Sequence, residues 1–285
     1  MRAAWVRRPV AGARYPLIPT IPTSATGRQN TAYLAEVTTL GPRPRALLVD
    51  LDDTIVSDSD RAGANWVAAV EAAAAVVPIP ADAVLDAIER ERLWYWSDPE
   101  RHRVGRADLV AARRAIVAAA LRDAGVPEAE RPTAVAAIVA AYGARTEADR
   151  KPFPGSLEAL RAIAGMGIKL ALVTNGAAVP QRAKIERFEL APFFDAIVIE
   201  GEFGQGKPEP AVYAHALASL GVSAADAWMV GDNLEWDVAT PRRLGLRGIL
   251  IAPDAAGLDG VRDRADAVLP DLAALARLLA SMAQR

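Results

Sequence analysis

One stretch constrains this chain more than any other: Arg45-Ala46-Leu47-Leu48-Val49-Asp50-Leu51-Asp52-Asp53-Thr54. The apolar run Ala46 to Val49 reads as a buried parallel strand. It runs straight into three carboxylates and a hydroxyl. Side chains alternate along a strand with a period of two, so Asp50 and Asp52 point the same way. Carboxylates placed so close to a buried run repel one another and lose hydration unless a cation or a reaction needs them. Open α/β sheets bind ligands just past the carboxyl ends of their strands. The pair therefore suits a hard cation, with one carboxylate as nucleophile and the other as acid/base. An acidic turn that only stops the strand is the competing reading of the stretch taken alone.

The rest of the chain supplies the partners such a strand needs. From Phe153-Pro154-Gly155 onward, helix and strand signals alternate. Apolar strands are expected at 168–173, 196–199, 227–230, 248–251 and 267–269. The helices between them centre on Leu157, Leu160 and Ile163, on Ala183, Ile185 and Phe188, and on Ala211 to Leu220, with Leu272 to Leu279 closing the chain. Crossovers of this length imply parallel pairing, so the expected class is α/β: a doubly wound parallel sheet. Polar clusters follow three of the strands: Asp50 to Thr54, Thr174-Asn175-Gly176, and Gly231-Asp232-Asn233. In such a sheet the three can meet at one crevice.

Between the first strand and Phe153 no strand signal occurs. Trp66, Val67, Val70 and Ala74 recur at helical spacing, as do Val84, Leu85 and Ile88, then Leu109, Ala112, Ile116 and Leu121, then Val135, Ile138, Val139 and Tyr142. Four helices form an inserted bundle on this reading. The expected organisation is an N-terminal extension over 1–43, an α/β core over 44–60 and 150–285, and an all-helical cap over 61–149. The extension carries Arg2, Arg7, Arg8, Arg14 and Arg28 with repeated Pro and no acidic residue before Glu36. It lacks the apolar core of a secretory signal, and a disordered extension is preferred over a transit peptide. Within the insert, Leu93 to Arg103 is dense in aromatic and cationic side chains. It reads either as bundle core with a solvated rim or as a substrate-facing surface, with Arg103 the binding candidate.

Composition narrows the chemistry. The chain has no cysteine, which removes disulfides, thiol catalysis and thiolate metal sites, and fits a reducing cytoplasm. His102 and His215 are its two histidines, too few for a polyhistidine metal site, so any metal is a hard cation held by oxygen. A net charge of −2 gives no overall attraction to nucleic acid or to an anionic membrane. No stretch reaches the apolar length of a spanning helix. Lysine is scarce: of 33 Lys plus Arg, the lysines are Lys151, Lys169, Lys184 and Lys207. Where arginine is the usual cation, each lysine asks what a compact point charge does that a planar fork would not.

Gly201-Glu202-Phe203-Gly204-Gln205-Gly206-Lys207 has the glycine and lysine spacing of a phosphate-binding P-loop. Position 208 is Pro where that loop needs a hydroxyl, so the P-loop is rejected. What survives is a flexible loop from which Lys207 can reach a phosphate.

Four motifs in order carry a resemblance. Asp50-Leu51-Asp52-Asp53-Thr54, Thr174-Asn175-Gly176, Lys207-Pro208-Glu209-Pro210 and Gly231-Asp232-Asn233-Leu234-Glu235-Trp236-Asp237 together resemble the phosphatases of the haloacid dehalogenase superfamily. The helical insert falls between the first and second motifs, as a cap does in that superfamily. N-acetylneuraminate-9-phosphate phosphatases, phosphoglycolate phosphatases and nucleotide phosphatases are the members the chain resembles most.

The resemblance implies Asp50 as nucleophile, forming an aspartyl phosphate, and Asp52 as the acid and then the base. It implies Thr174 and the Asn175 amide gripping phosphoryl oxygens, with Gly176 and Thr54 beside them and Lys207 as the neutralising charge. Mg²⁺ would sit on Asp50, the Asp52 carbonyl and Asp232, with Asp237 ordering metal waters or Lys207. Helix capping is the alternative role for Asp232 and Asp237.

The expected substrate is a small phosphorylated metabolite, with no nucleic acid or membrane partner, for a monomer or homodimer. Dehalogenases of the superfamily lack the second Asp, because a halide leaves without a proton; Asp52 therefore favours phosphate esters. A phosphomutase shares the carboxylate pair and stays open. A phospho-receiver domain is disfavoured because Ile199-Glu200-Gly201 offers no Asp at the expected strand end. An inactive binding scaffold is disfavoured because every chemical position is intact.

Overall fold

The structure, a computed structural model, describes residues 40–58, 62–253 and 264–282. In chain order the elements are β1 (Ala46–Val49), α1 (Ala62–Ala72), α2 (Ala81–Ser97), α3 (Pro99–Ala107), α4 (Leu109–Asp123), α5 (Arg131–Asp149) and α6 (Ser156–Gly165). They continue with β2 (Lys169–Thr174), α7 (Ala178–Arg187), β3 (Ala196–Ile199), α8 (Glu200–Phe203), α9 (Pro210–Leu220) and β4 (Ala227–Gly231). α10 (Thr240–Arg243), β5 (Arg247–Ile251), β6 (Ala267–Leu269) and α11 (Leu272–Met282) complete the set. A π-helical turn over Leu234–Ala239 precedes α10.

The strands form one sheet in the order β3-β2-β1-β4-β5-β6, and every neighbouring pair is parallel. The doubly wound parallel sheet expected from the sequence is the architecture found. Alternation assigns the two faces. Leu47 and Val49 join Leu170, Leu172, Trp228, Val230, Ile249 and Ile251 under α6 and α11, through Leu160, Ile163, Leu275 and Leu279. Ala46 and Leu48 face the other way, with Ala171, Val173, Ala227 and Met229, onto Val212, Tyr213, Ala216 and Leu220 of α9. β1 is wholly buried because both of its faces are covered. The sequence order reverses across β1, which has β2 on one side and β4 on the other. That reversal opens the crevice where such sheets place ligands.

The residues between β1 and α6 pack an apolar cluster of their own. Trp66, Val70, Val84, Ile88, Val117, Leu121, Ile138 and Tyr142 lie at its centre, with the Trp66 and Tyr142 rings stacked at 3.8 Å between centroids. Among the described residues the segment holds five α-helices, where four helices were expected. The additional one is α3, and Asp98-Pro99 explains it: Pro cannot continue α2 but is favoured in a first helical turn, and the Asp98 side chain accepts from the Arg101 amide at 2.8 Å. α3 is too polar to show an apolar stripe.

Most of the expected N-terminal extension, residues 1–39, lies outside the described residues. Leu40 does not belong to an extension. It is 1% exposed within the core cluster, so the packed core begins before the expected boundary at residue 44. No helix among the described residues is long and apolar enough to cross a membrane.

Candidate active site

Asp50 follows β1 directly and is tied to the neighbouring strand by its own amide, which donates to the Val230 carbonyl at 2.9 Å. Its side chain is buried and meets Lys207 Nζ at 2.6 Å. Lys207 is 1% exposed, and an ammonium taken so far from water requires partners. It has Asp50 and, at 2.7 Å, Asp237 Oδ1. Thr54 Oγ1 lies 3.5 Å from the other Asp50 oxygen.

Asp237 reaches the centre because position 231 is glycine. A Cβ there would lie 2.3 Å from Asp237 Oδ2, a distance no side chain tolerates. Asn233 performs the capping that the sequence left open for Asp232 and Asp237. Its Oδ1 accepts from the Glu235 and Trp236 amides at 3.0 Å, and its own amide donates to Asp237 Oδ2 at 3.0 Å. Asp232 is thereby free to face the cluster.

Asp50, Asp232 and Asp237 each place an oxygen within 4.8 Å of the others. Three carboxylates against the Lys207 ammonium leave an excess of negative charge in a buried place. Burial first, then Asp237 and Asp52, push the Asp50 carboxyl up to about 7 despite the opposing pull of Lys207. Burial, Asp50 and Asp237 drive the Asp232 carboxyl well above the usual carboxylate range. Burial works against the Lys207 ammonium, yet Asp237 and Asp50 outweigh it and raise its pKa. An all-oxygen donor set with surplus negative charge fits a hard divalent cation such as Mg²⁺.

Asp52 stands apart from that cluster. Lys184 Nζ contacts its Oδ1 at 2.6 Å, and Gln181 Nε2 donates to its Oδ2 at 2.9 Å. Burial raises the Asp52 carboxyl, with Lys184 opposing it. Gln181 Nε2 is also 2.6 Å from Thr174 Oγ1 and 2.9 Å from the Asn175 carbonyl. Lys184 in turn lies 3.4 Å from Asp58, which Arg150 holds at 2.7 Å.

Asn175 joins the end of β2 to the lysine loop. Its Nδ2 donates to the Lys207 carbonyl and its Oδ1 accepts from the Lys207 amide, both at 2.7 Å. This corrects the expectation that Lys207 lies on a flexible loop: its backbone and its ammonium are both held. Gly176, at φ 114°, donates its amide to Glu200 Oε2 at 2.8 Å. Glu200 is gripped by Arg106 of α3, at 2.8 Å between Nη2 and Oε1.

Most sequence-predicted residues therefore converge. Asp50, Thr54, Lys207, Asp232 and Asp237 share one cluster. Asp52 and Thr174 meet through Gln181, and Asn175 and Gly176 border both. Arg103 does not converge. It is exposed and closes a bidentate pair with Glu100, three residues before it on the same helix, at 2.6 and 2.9 Å. Arg101 is likewise turned away, 3.9 Å from the Trp94 ring centroid, and Trp94 is 57% exposed, which excludes it from the bundle core. Of the three cationic neighbours only His102 turns inward, edge-on to Trp236 at 5.1 Å. Arg106, one turn further along α3, reaches the core through Glu200, whereas Arg103, the expected substrate contact, does not. Sequence reasoning missed Gln181, Lys184, Glu200 and Arg106. Lysine scarcity was a usable signal for Lys184; Gln181 and Glu200 carried none.

Comparison with known proteins agrees with this geometry. Residues 44–245 match a family model described as haloacid dehalogenase-like hydrolase. A glyceraldehyde 3-phosphate phosphatase of Methanopyrus kandleri is 32% identical over 206 residues, covering 71% of this chain and 81% of that protein. The N-acylneuraminate-9-phosphatase of Mus musculus is 44% identical over 80 residues, 28% of this chain and 32% of that protein. Among solved structures, a 2-haloacid dehalogenase of Pseudomonas syringae pv. Tomato superposes with a TM-score of 0.55 at 27% identity, covering 84% of this chain and 99% of that one.

Proposed function

The chain belongs to the haloacid dehalogenase-like hydrolase family, and from that premise we propose that it is a Mg²⁺-dependent phosphatase of a small phosphorylated metabolite. The observation that carries the reading is the group of buried Asp50, Lys207 and Asp237 with the partly buried Asp232 at the point where the strand order reverses. The family relatives described above include phosphatases of two different phosphorylated compounds.

On this reading Asp50 attacks phosphorus, the ester oxygen departs, and an aspartyl phosphate remains until water clears it. Asp52 gives the leaving oxygen its proton and later takes one from that water. Lys207 favours the ionised form of Asp50 and lies where negative charge collects on the phosphoryl group. Thr174 and the Asn175 amide bind the phosphoryl oxygens. Mg²⁺, held by Asp50, the Asp52 carbonyl and Asp232, would supply the positive charge that lets a carboxylate approach an anionic phosphate. Asp237 keeps Lys207 in place.

Asp52 separates this chemistry from dehalogenation, since a halide needs no acid. Residues 61–149 act as the cap. Their α3 reaches the core through Arg106 on Glu200 and His102 on Trp236, and that side of the cleft meets the leaving group.

A screen of phosphorylated metabolites with purified protein tests the proposal. Phosphate release that requires Mg²⁺ and disappears in Asp50→Asn is expected. Full turnover after exhaustive chelation, or in Asp50→Asn, contradicts it.

A further inference from the structure

Two side chains outside the four motifs contact Asp52, and both are buried: Gln181 is 3% exposed and Lys184 is 5% exposed. They are three residues apart on α7, so one helix face presents both. Each takes a different oxygen of the same carboxylate, Lys184 at Oδ1 and Gln181 at Oδ2. A carboxylate held at both oxygens from a regular helix cannot rotate without breaking a bond.

We infer that Gln181 and Lys184 are positioning residues that fix the Asp52 carboxylate toward the leaving group. The inference rests on the phosphatase reading above. Fold stability alone explains these two side chains poorly. Burying an ammonium and a primary amide is costly, and an apolar helix face would pack at least as well. The surrounding charges also point to a purpose. Lys184 lies between Asp52 and Asp58, and Asp58 has its own cation in Arg150. Removing the Lys184 charge therefore leaves Asp58 paired and takes a partner chiefly from Asp52.

Gln181 adds a link that no lysine could make. Its amide nitrogen lies within hydrogen-bond distance of Asp52, Thr174 Oγ1 and the Asn175 carbonyl. With two hydrogens it serves two of these acceptors at a time. The same amide thus borders the acid/base carboxylate and the hydroxyl that faces the phosphoryl group. When Gln181 donates to Thr174 Oγ1, the threonine hydroxyl directs its own proton at the Asn175 carbonyl, 3.4 Å away, and a substrate oxygen would compete for it there.

The test compares two esters in wild type, Gln181→Leu and Lys184→Met. One is an alkyl phosphate, whose leaving oxygen needs a proton; the other is p-nitrophenyl phosphate, whose leaving group does not. Because kcat/KM reports the steps up to leaving-group departure, it isolates the role of Asp52 as an acid. A misplaced catalytic group costs on the order of 10²-fold. The alkyl-to-aryl ratio of kcat/KM is therefore expected to fall roughly 10–100-fold in both variants. With the aryl ester a burst of p-nitrophenol should precede a slower steady state, since Asp52 also serves the hydrolysis step. Equal losses on both esters, with no burst, overturn the inference, because a purely structural role cannot distinguish leaving groups. Should Lys184→Met fail to fold, Gln181→Leu alone decides by the same ratio. A wild type inactive on every phosphate ester removes the phosphatase reading and this inference with it; an active wild type with an unchanged ratio in the variants removes the inference alone.

Discussion

Asp50 and Asp52 are two residues apart and leave the same strand, Asp50 buried and Asp52 partly buried, yet their surroundings differ in kind. Asp50 faces a lysine that it shares with Asp237, and Asp232 adds a further carboxylate. Asp52 faces an amide and a lysine that it shares with Asp58, and Asp58 has a second cation in Arg150. The first site is short of positive charge; the second is close to balanced. Two carboxylates with one chemistry in water can thus be given different tasks by what encloses them. A nucleophile beside a cation site and an acid/base held at both oxygens is the division that a phosphomonoester hydrolase needs.

The largest effect expected is Asp50→Asn, which should leave no turnover above background on any ester, as the amide cannot attack phosphorus. Asp52→Asn breaks the comparison from the other side. Its loss in kcat/KM on alkyl phosphates should be about 10²–10⁴-fold, the usual worth of general acid catalysis, while activated aryl esters lose far less. Were Asp50→Asn and Asp52→Asn to depress both esters alike, the two carboxylates would not be doing different work. Arg106→Ala sharpens the picture at the rim. It removes the cation that holds Glu200 and should raise KM for the natural substrate by roughly tenfold, equivalent to about 1.4 kcal/mol. The smallest change belongs to Arg103→Ala, expected to leave the Tm and kcat/KM close to those of the wild type, since the side chain is solvated and paired locally. A substrate-specific KM increase in Arg103→Ala would restore it to the site.

Much of this was legible in the chain. Parallel strands covered on both faces appear as short apolar runs, so β1, β2, β3, β4, β5 and β6 could be placed within a residue or so, and polar clusters at three of their ends named the crevice. Asp50, Asp52, Thr174 and Asp232 came from that pattern, while the roles of Lys207 and Asp237 came from the family resemblance. α3 was not legible because a helix that packs through polar contacts shows no apolar stripe. Arg103 misled for a related reason. Composition gives the density of charge but not its direction, and Glu100 one turn earlier claims the guanidinium. Gln181 and Lys184 escaped because their partner Asp52 lies 129 and 132 positions away, a pairing that only the folded sheet creates.

The central claim is that Asp50 carries the phosphoryl group, and Asp52→Asn offers the means to catch it. With Asp52 unable to activate water, the intermediate formed from p-nitrophenyl phosphate should accumulate, and acid quenching followed by peptide mass mapping should find the phosphoryl group on Asp50. A phosphoryl group on another residue, or p-nitrophenol released with no covalent label at any time, would contradict the account.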